Sequence, residues 1–394
     1  MKQYNFDELI DRKGSGALKT DALQERFGKE DLIPMWVADM DFRTGDFIVD
    51  ALKKRCEHEV FGYTIPSEGY LSSITSWLDH HHAWKVDNEW LSFIPGIVKG
   101  IAFTIINFTK PGDKIIIQPP VYHPFHHVPT MHHRELVMNP LKLENGAYIM
   151  DLEHLETIVD SNCKILILCN PHNPIGVTWD KACLKRLAEI CYKHNILVIS
   201  DEIHSDMALF GNKHIPFASV SEQARENSIT FMAPSKTFNI AGIVSSFAIV
   251  PNEKIRESFF SFLVASELNQ AHLFAYVATQ AAYENGAEWL KQMLAYVEGN
   301  ILFVDNFLKK ELPQIKAHIP QASFLIWLDC NGLNLNQEAL VSLFINDAGL
   351  ALNNGAMFGS EGSGYMRLNI ACPKSVLEEA LDKLKKAVLL SPLI

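Results

Sequence analysis

Lys236 lies in APSKTFNIAG, a short polar stretch between apolar runs, where its ammonium group would lose solvation and its pKa would fall. A neutral amine of that kind attacks an aldehyde. A lone lysine in a loop is more often a solvated charge, so this reading depends on what accompanies it. Asp201, in VISDEIHSD, could pair with a protonated ring nitrogen and keep an electron sink cationic, although aspartates also cap helices and form turns. Asn173, in NPHNPIG, carries an amide able to donate to a phenolate oxygen, within a turn that Asn-Pro explains without any ligand. Gly96, in PGIVKG, precedes a helical pattern whose first amides and dipole suit a phosphate. Arg367 opens RLNIACP and has the fork for a carboxylate, or for an ordinary surface ion pair. Tyr122 is placed to stack on an aromatic ring or to pack in the core.

Elements of a recognisable order must position these groups. KILILC (164–169) reads as a buried strand, followed at once by the turn-rich NPHNPIG. Leu184, Leu187, Ala188 and Cys191 then recur at helical spacing, with Lys181, Lys185, Arg186, Glu189 and Lys193 on the other faces. ILVIS (196–200) is the next apolar run, which completes a strand, helix, strand unit with parallel strands. SITFM (228–232) and SSFAIV (245–250) continue the sheet. Upstream, LSFIPGIVKGIAFTIINF and DKIIIQPP read as a loop, a helix and a strand. The fold class is therefore α/β, a large domain with a mostly parallel sheet flanked by helices, in which ligands bind beyond the carboxyl ends of the strands. Asn173, Asp201, His204, Ser235 and Lys236 all follow strand ends. Toward the C-terminus, helical patterns over 288–312 lead to ASFLIWLD, a helix, a glycine-rich turn and YMRLNIA, a smaller α+β domain. The expected division is 1–50 joining the small domain, 51–286 the large domain and 287–394 the small one.

Composition narrows the function classes. The 394 residues, 48% of them hydrophobic, can bury a sizeable core. A formal net charge of −11 gives no attraction for phosphate backbones or anionic surfaces, so neither nucleic acid nor membrane is an expected partner. No apolar run approaches the roughly 18 residues that span a bilayer, and the charged run MKQYNFDELIDRKGSG lacks the apolar heart of an export signal. Seven scattered cysteines without a C-x-x-C pair suit reduced thiols in the cytoplasm. His80, His81 and His82, and the histidines from His123 to His133, read as helix ends and loops rather than a metal site. GSG at 14–16 and the glycines at 355–364 read as turns or mobile loops and match no dinucleotide fingerprint.

Taken in order and spacing, NPHNPIG, SDEIHSD, SKTFNIAG and RLNIACP resemble the fold-type I pyridoxal-phosphate enzymes of the aspartate aminotransferase superfamily, over nearly the whole chain. PMWVADMDF and PPVYHPF are similar, more narrowly, to the cystathionine β-lyase, or C–S lyase, branch of the MalY and PatB type. The resemblance implies pyridoxal 5′-phosphate as cofactor, held by the large domain, with Lys236 as the Schiff-base lysine and catalytic base. It implies that Asp201 partners the pyridine nitrogen and Asn173 donates to the ring hydroxyl's oxygen, that His204 occupies a place usually held by tyrosine, and that Tyr122 stacks on the ring. Gly96, Ile97 and Val98 match the phosphate-binding turn, assisted by Ser235, and Tyr63 in FGYTIPSEG matches a phosphate contact lent by a second subunit, which implies a homodimer. Arg367 matches the arginine that binds the substrate α-carboxylate, with help from the backbone near Ala38. One departure stands out: aminotransferases of the group carry an arginine and a serine where this chain has Val244 and Ala233.

The implied reaction is α,β-elimination on a sulfur-containing amino acid such as L-cystathionine or cysteine, giving pyruvate, ammonia and a thiol. An aminotransferase would use every one of the same residues. A regulatory or binding protein that kept the fold is a third reading, for which a DNA-binding extension would be the mark; no such basic arm is present.

Overall fold

Continuous apolar runs bury both faces of a strand, and the region around 163–201 shows the result. In the computed structural model, which describes residues 2–391, Cys163–Cys169 and Leu197–Asp201 are neighbouring parallel strands, with Ile165 opposite Leu197 and Cys169 opposite Asp201. The helix Lys181–Lys193 joins them and turns Leu184, Leu187, Ala188, Ile190 and Cys191 inward, as their spacing requires. Asp180 caps it by accepting the Cys183 amide hydrogen at 2.8 Å.

These strands form the centre of a seven-stranded sheet in the order Leu91–Ile94, Ser246–Ile249, Ser228–Met232, Leu197–Asp201, Cys163–Cys169, Lys114–Ile117 and Glu135–Met138. All pairings are parallel except those of Ser246–Ile249, which is antiparallel to both of its neighbours. The fold is thus α/β with a mostly parallel sheet. Two local readings are corrected. LSFI is a strand rather than a loop, because Ser246–Ile249 offers it a pairing edge that four residues before a Pro-Gly turn cannot advertise in sequence. The strand read at 196–200 lies one residue later, which makes Asp201 its last member. Ile165, Ile167, Ile199, Ile229 and Phe231 pack with Ile97, Ile101 and Ile105 of the helix Ile97–Phe108 into one core cluster. Each such side chain contributes about 1.5–3 kcal/mol of transfer free energy on burial.

The chain divides into two compact units, Thr44–His172 with Val177–Leu290, and Met1–Arg43 with Asn173–Gly176 and Lys291–Ile394. The second division falls inside the continuous helix Ala287–Glu311, and the four residues from Asn173 group with the smaller unit, which no sequence signal announced. The smaller unit holds a four-stranded antiparallel sheet in the order Lys316–His318, Leu325–Asp329, Tyr365–Asn369 and Asn353–Asn354. Its N-terminal segment is fastened by charges: the nearly buried Lys19 lies 2.7 Å from Asp41, and Arg12 reaches both Asp39 and Asp41 at 2.7 Å. The glycine-rich stretch read as turns or a mobile loop is densely packed instead. A Cβ on Gly355 would overlap the carbonyl oxygens of Gly362 and Tyr365, and Phe358 between them is fully buried. Among the described residues no helix is long and apolar enough to cross a membrane.

Gly286 closes the helix Leu273–Asn285, where a Cβ would overlap both the Phe238 ring and the Ala282 carbonyl oxygen. Because one obstacle is backbone, Gly286→Ala is expected to lower stability by about 1–3 kcal/mol, read from the midpoint of urea unfolding.

Candidate active site

Three elements of the larger unit end near the residues singled out by sequence. Asp201 closes the strand Leu197–Asp201 with its side chain only 4% exposed, and its Oδ1 accepts the Ile203 amide hydrogen at 3.1 Å. Burial pushes its pKa up to about 7; the adjacent Glu202 adds to the rise, while the Ile203 hydrogen bond and the positive charge of Lys236 oppose it. Glu202 itself is fully buried and satisfied by the Ser200 hydroxyl at 2.8 Å, the Phe217 amide at 2.8 Å and His214 Nε2 at 2.7 Å.

Lys236 sits half-buried on the one-turn helix Pro234–Thr237, just past the neighbouring strand Ser228–Met232. Ser235 is buried, and its carbonyl accepts the Ile240 amide hydrogen at 3.0 Å. His204 is buried in the turn after Asp201, its carbonyl accepting from the Met207 amide at 3.0 Å. Tyr122 is half-buried against the core cluster, 6.1 Å edge-on from Phe125. His172 Nε2 donates to the Pro120 carbonyl at 2.8 Å and thereby ties the 170–172 turn to the loop before Tyr122. Burial holds His172 near pKa 4 and so uncharged.

Gly96 precedes the helix Ile97–Phe108 with φ +121°, a conformation that a residue with a Cβ rarely adopts. No side chain caps that helix, and the amides of Ile97 and Val98 open its first turn. Val244 is half-buried and Ala233 buried, and neither side chain carries a charge or a hydroxyl. Tyr63 is fully exposed, on an irregular segment that also exposes Val60, Phe61 and Ile65.

In the smaller unit, Arg367 is no surface ion-pair partner. It is 4% exposed on the strand Tyr365–Asn369. Nη1 donates to Asn173 Oδ1 at 2.9 Å, and Nη2 donates to Asn353 Oδ1 at 2.6 Å and to the Trp36 carbonyl at 3.1 Å. Its guanidinium also lies 4.9 Å over the Phe358 ring. Asn369, on the same strand, donates to the carbonyls of Val37 at 2.5 Å and Asp39 at 2.7 Å, which brackets Ala38.

Several contributors escaped the sequence reading. Asn353, which lies in no motif, and the main-chain carbonyl of Trp36, within PMWVADMDF, hold Arg367. His82, read as part of a polar helix end, turns its side chain inward with Nε2 2.8 Å from Asp206 Oδ1. Asp206 shares the SDEIHSD motif with Asp201, and that proximity was the available signal.

A model of the aminotransferase class I and II family matches residues 31–384. The chain belongs to that family. It is 42% identical to cystathionine beta-lyase PatB of Bacillus subtilis strain 168, over 98% of this chain and 100% of that protein. It is similar to the solved structure of a pyridoxal-phosphate-bound putative aminotransferase from Clostridium difficile 630, with TM-score 0.96 and 45% identity over 98% of this chain and 100% of that one. A pyridoxal-phosphate-bound C–S lyase from Staphylococcus hominis is similar with TM-score 0.91 and 33% identity, over 99% and 100% of the two chains. The fold is that of fold-type I pyridoxal-phosphate transferases. The residues present fit such a ligand: a buried carboxylate strained by desolvation suits a pyridinium, and the uncapped helix after Gly96 suits a phosphate.

A carboxyl with a raised folded-state pKa holds its proton longer folded than unfolded, so stability falls as pH rises from about 4 through about 7 and then levels off. For ligand-free protein the loss is expected to be on the order of 4 kcal/mol, and Asp201→Asn should abolish it. Urea unfolding at pH 5 and pH 8 checks the slope.

Proposed function

We propose that this chain is a pyridoxal-phosphate-dependent C–S β-lyase that performs α,β-elimination on sulfur-containing amino acids to give pyruvate, ammonia and a thiol. The observation that carries the reading is full-length similarity to a cystathionine beta-lyase at 42% identity. Val244 and Ala233, which replace the arginine and serine of ordinary aminotransferases, support the same branch.

The cofactor, when bound, supplies an electron sink that makes the substrate's Cα proton removable and lets a Cβ thiolate depart. The chain does the rest. Lys236 would hold the cofactor through its amine, and the same amine, when free, would be the base that takes the proton from the substrate Cα. Asp201 would keep the ring nitrogen protonated, Asn173 would donate to the ring oxygen, Tyr122 would stack on the ring, and His204 stands where a tyrosine is usual. The amides of Ile97 and Val98 after Gly96, with Ser235, take the phosphate. Arg367 would bind the substrate α-carboxylate, aided by the backbone at Ala38; the amide and carbonyl oxygens around it orient the guanidinium without removing its charge. L-cystathionine would yield homocysteine, and cysteine would yield hydrogen sulfide. The exposed Tyr63 segment supports a homodimer in which Tyr63 reaches the phosphate of a second subunit. Seven free cysteines, five of them buried, support a reducing cytoplasm.

The test combines absorbance with product analysis on the purified protein given L-cystathionine. A Schiff-base band lost in Lys236→Ala, with pyruvate and free thiol formed in equal amounts, is the expected result. A keto acid formed only with an amino acceptor, and no thiol, would make the chain an aminotransferase instead. Arg367→Lys keeps the charge but loses the fork, so it should raise KM for L-cystathionine by about 10- to 100-fold with a smaller change in kcat.

A further inference from the structure

Two anchors hold the turn that carries Lys236, and neither involves a group assigned to the reaction. The first is polar. The Thr237 hydroxyl, one residue past the lysine and fully buried, donates to Asp206 Oδ2 at 2.8 Å. Asp206 Oδ1 receives the Trp77 indole N–H and the His82 Nε2–H, each at 2.8 Å, both from the helix Glu68–His82. The Asp206 side chain is 4% exposed. Burial opposes its ionisation, yet the hydrogen bonds from His82, Trp77 and Thr237 and the charge of His82 together hold its pKa below the usual carboxylate value. An ionised carboxylate only accepts, so the direction of all three bonds is settled, and the Thr237 hydroxyl cannot rotate away without leaving buried polar groups unsatisfied.

The second anchor is apolar. The fully buried Phe238 ring lies 5.6 Å from Trp77, 6.2 Å from Tyr283 and 6.0 Å from Trp289, centroid to centroid. Trp77 therefore serves both anchors, its indole N–H bonding Asp206 and its ring meeting Phe238 in a T-shaped contact.

We propose that Asp206 is a positioning residue for Lys236: by holding the Thr237 hydroxyl it sets the direction in which the lysine amine leaves the helix Pro234–Thr237, while His82 and Trp77 keep Asp206 in place. The inference rests on the reading of Lys236 as the amine that captures the cofactor's aldehyde and then takes the Cα proton. That amine must reach two atoms in succession, and misdirection costs rate more than it costs substrate binding. Asp206 acts on the neighbour of the lysine, so the effect is one of aim rather than of direct contact.

Thr237→Val and Thr237→Ser separate the hydroxyl from the volume. Apo-protein of each is mixed with pyridoxal phosphate, the Schiff-base absorbance is followed in time, and the borohydride-trapped adduct on the Lys236 peptide is quantified by mass spectrometry. Thr237→Ser is expected within about twofold of the parent, whereas Thr237→Val should capture the cofactor about tenfold more slowly and lose about tenfold in kcat with KM within about threefold. Asp206→Asn should match Thr237→Val, and the double variant should lose little more than either alone, because one contact is being removed twice. Thr237→Val behaving like Thr237→Ser, or fully additive losses, would overturn the inference. So would a Thr237→Val chain that fails to fold, since the contact would then hold the fold and not the amine. A parent protein that forms no Schiff base, with labelling unchanged in Lys236→Ala, would instead remove the underlying reading of Lys236.

Discussion

An aspartate carboxylate placed where water cannot reach it governs the larger unit. Asp201 ends a strand that is buried along its whole length, and the cost of desolvating its charge exceeds what the Ile203 amide and the nearby Lys236 return. The next residue, Glu202, deepens the penalty by repulsion, its own carboxylate being held in place by Ser200, Phe217 and His214. The outcome is an acid poised near neutrality, in a place where a ring cation would turn a strained group into a paired one. The helices, the parallel register and the turn after each strand serve to hold that one oxygen pair dry and in place.

The smaller unit handles a buried charge of the other sign differently. Arg367 is surrounded by side-chain amides, a main-chain carbonyl and the face of Phe358. Such neighbours fix the plane of a guanidinium while preserving its attraction for an incoming carboxylate. The strand that carries it and the residues just after it also grip the 35–41 segment, through the Asn369 side chain to Val37 and Asp39 and through main-chain bonds from Asn369 to Met35 and from Asp41 to Ala371. Lys19 and Arg12 lock the same segment from its other side by pairing with Asp39 and Asp41. Removing one member of such a cluster leaves a charge without its partner, so the segment around Ala38 is held as a unit.

Both units share a way of building precision. A residue assigned to chemistry is oriented by a polar neighbour to which the sequence reading gave no role: the half-buried Asn353 for Arg367, and Asp206 through Thr237 for the turn of Lys236. Family membership accounts for the motif residues, and the supporting residues follow from how this chain packs.

Much of the fold was legible in sequence because its signals are local. Leu184, Leu187, Ala188 and Cys191 mark a helix face by spacing alone, and the apolar runs at 163–169 and 228–232 admit little but buried strands. Lys236, Asp201, Asn173 and Arg367 stand out as candidates because each lies in a motif on or beside a strand. What no local pattern carries is pairing across the chain. LSFI became a strand only because Ser246–Ile249 runs beside it, and the glycines at 355–364 form a packed knot only because Gly355 meets Gly362. His82 is indistinguishable from His80 in the run HHH until the helix turns it toward Asp206, 124 positions away. By itself the sequence determined the elements and the chemical groups at their ends, since side-chain type and period act over a few residues. Only the tertiary structure decided burial, partner and protonation, because desolvation and hydrogen bonding depend on which distant residues surround a group.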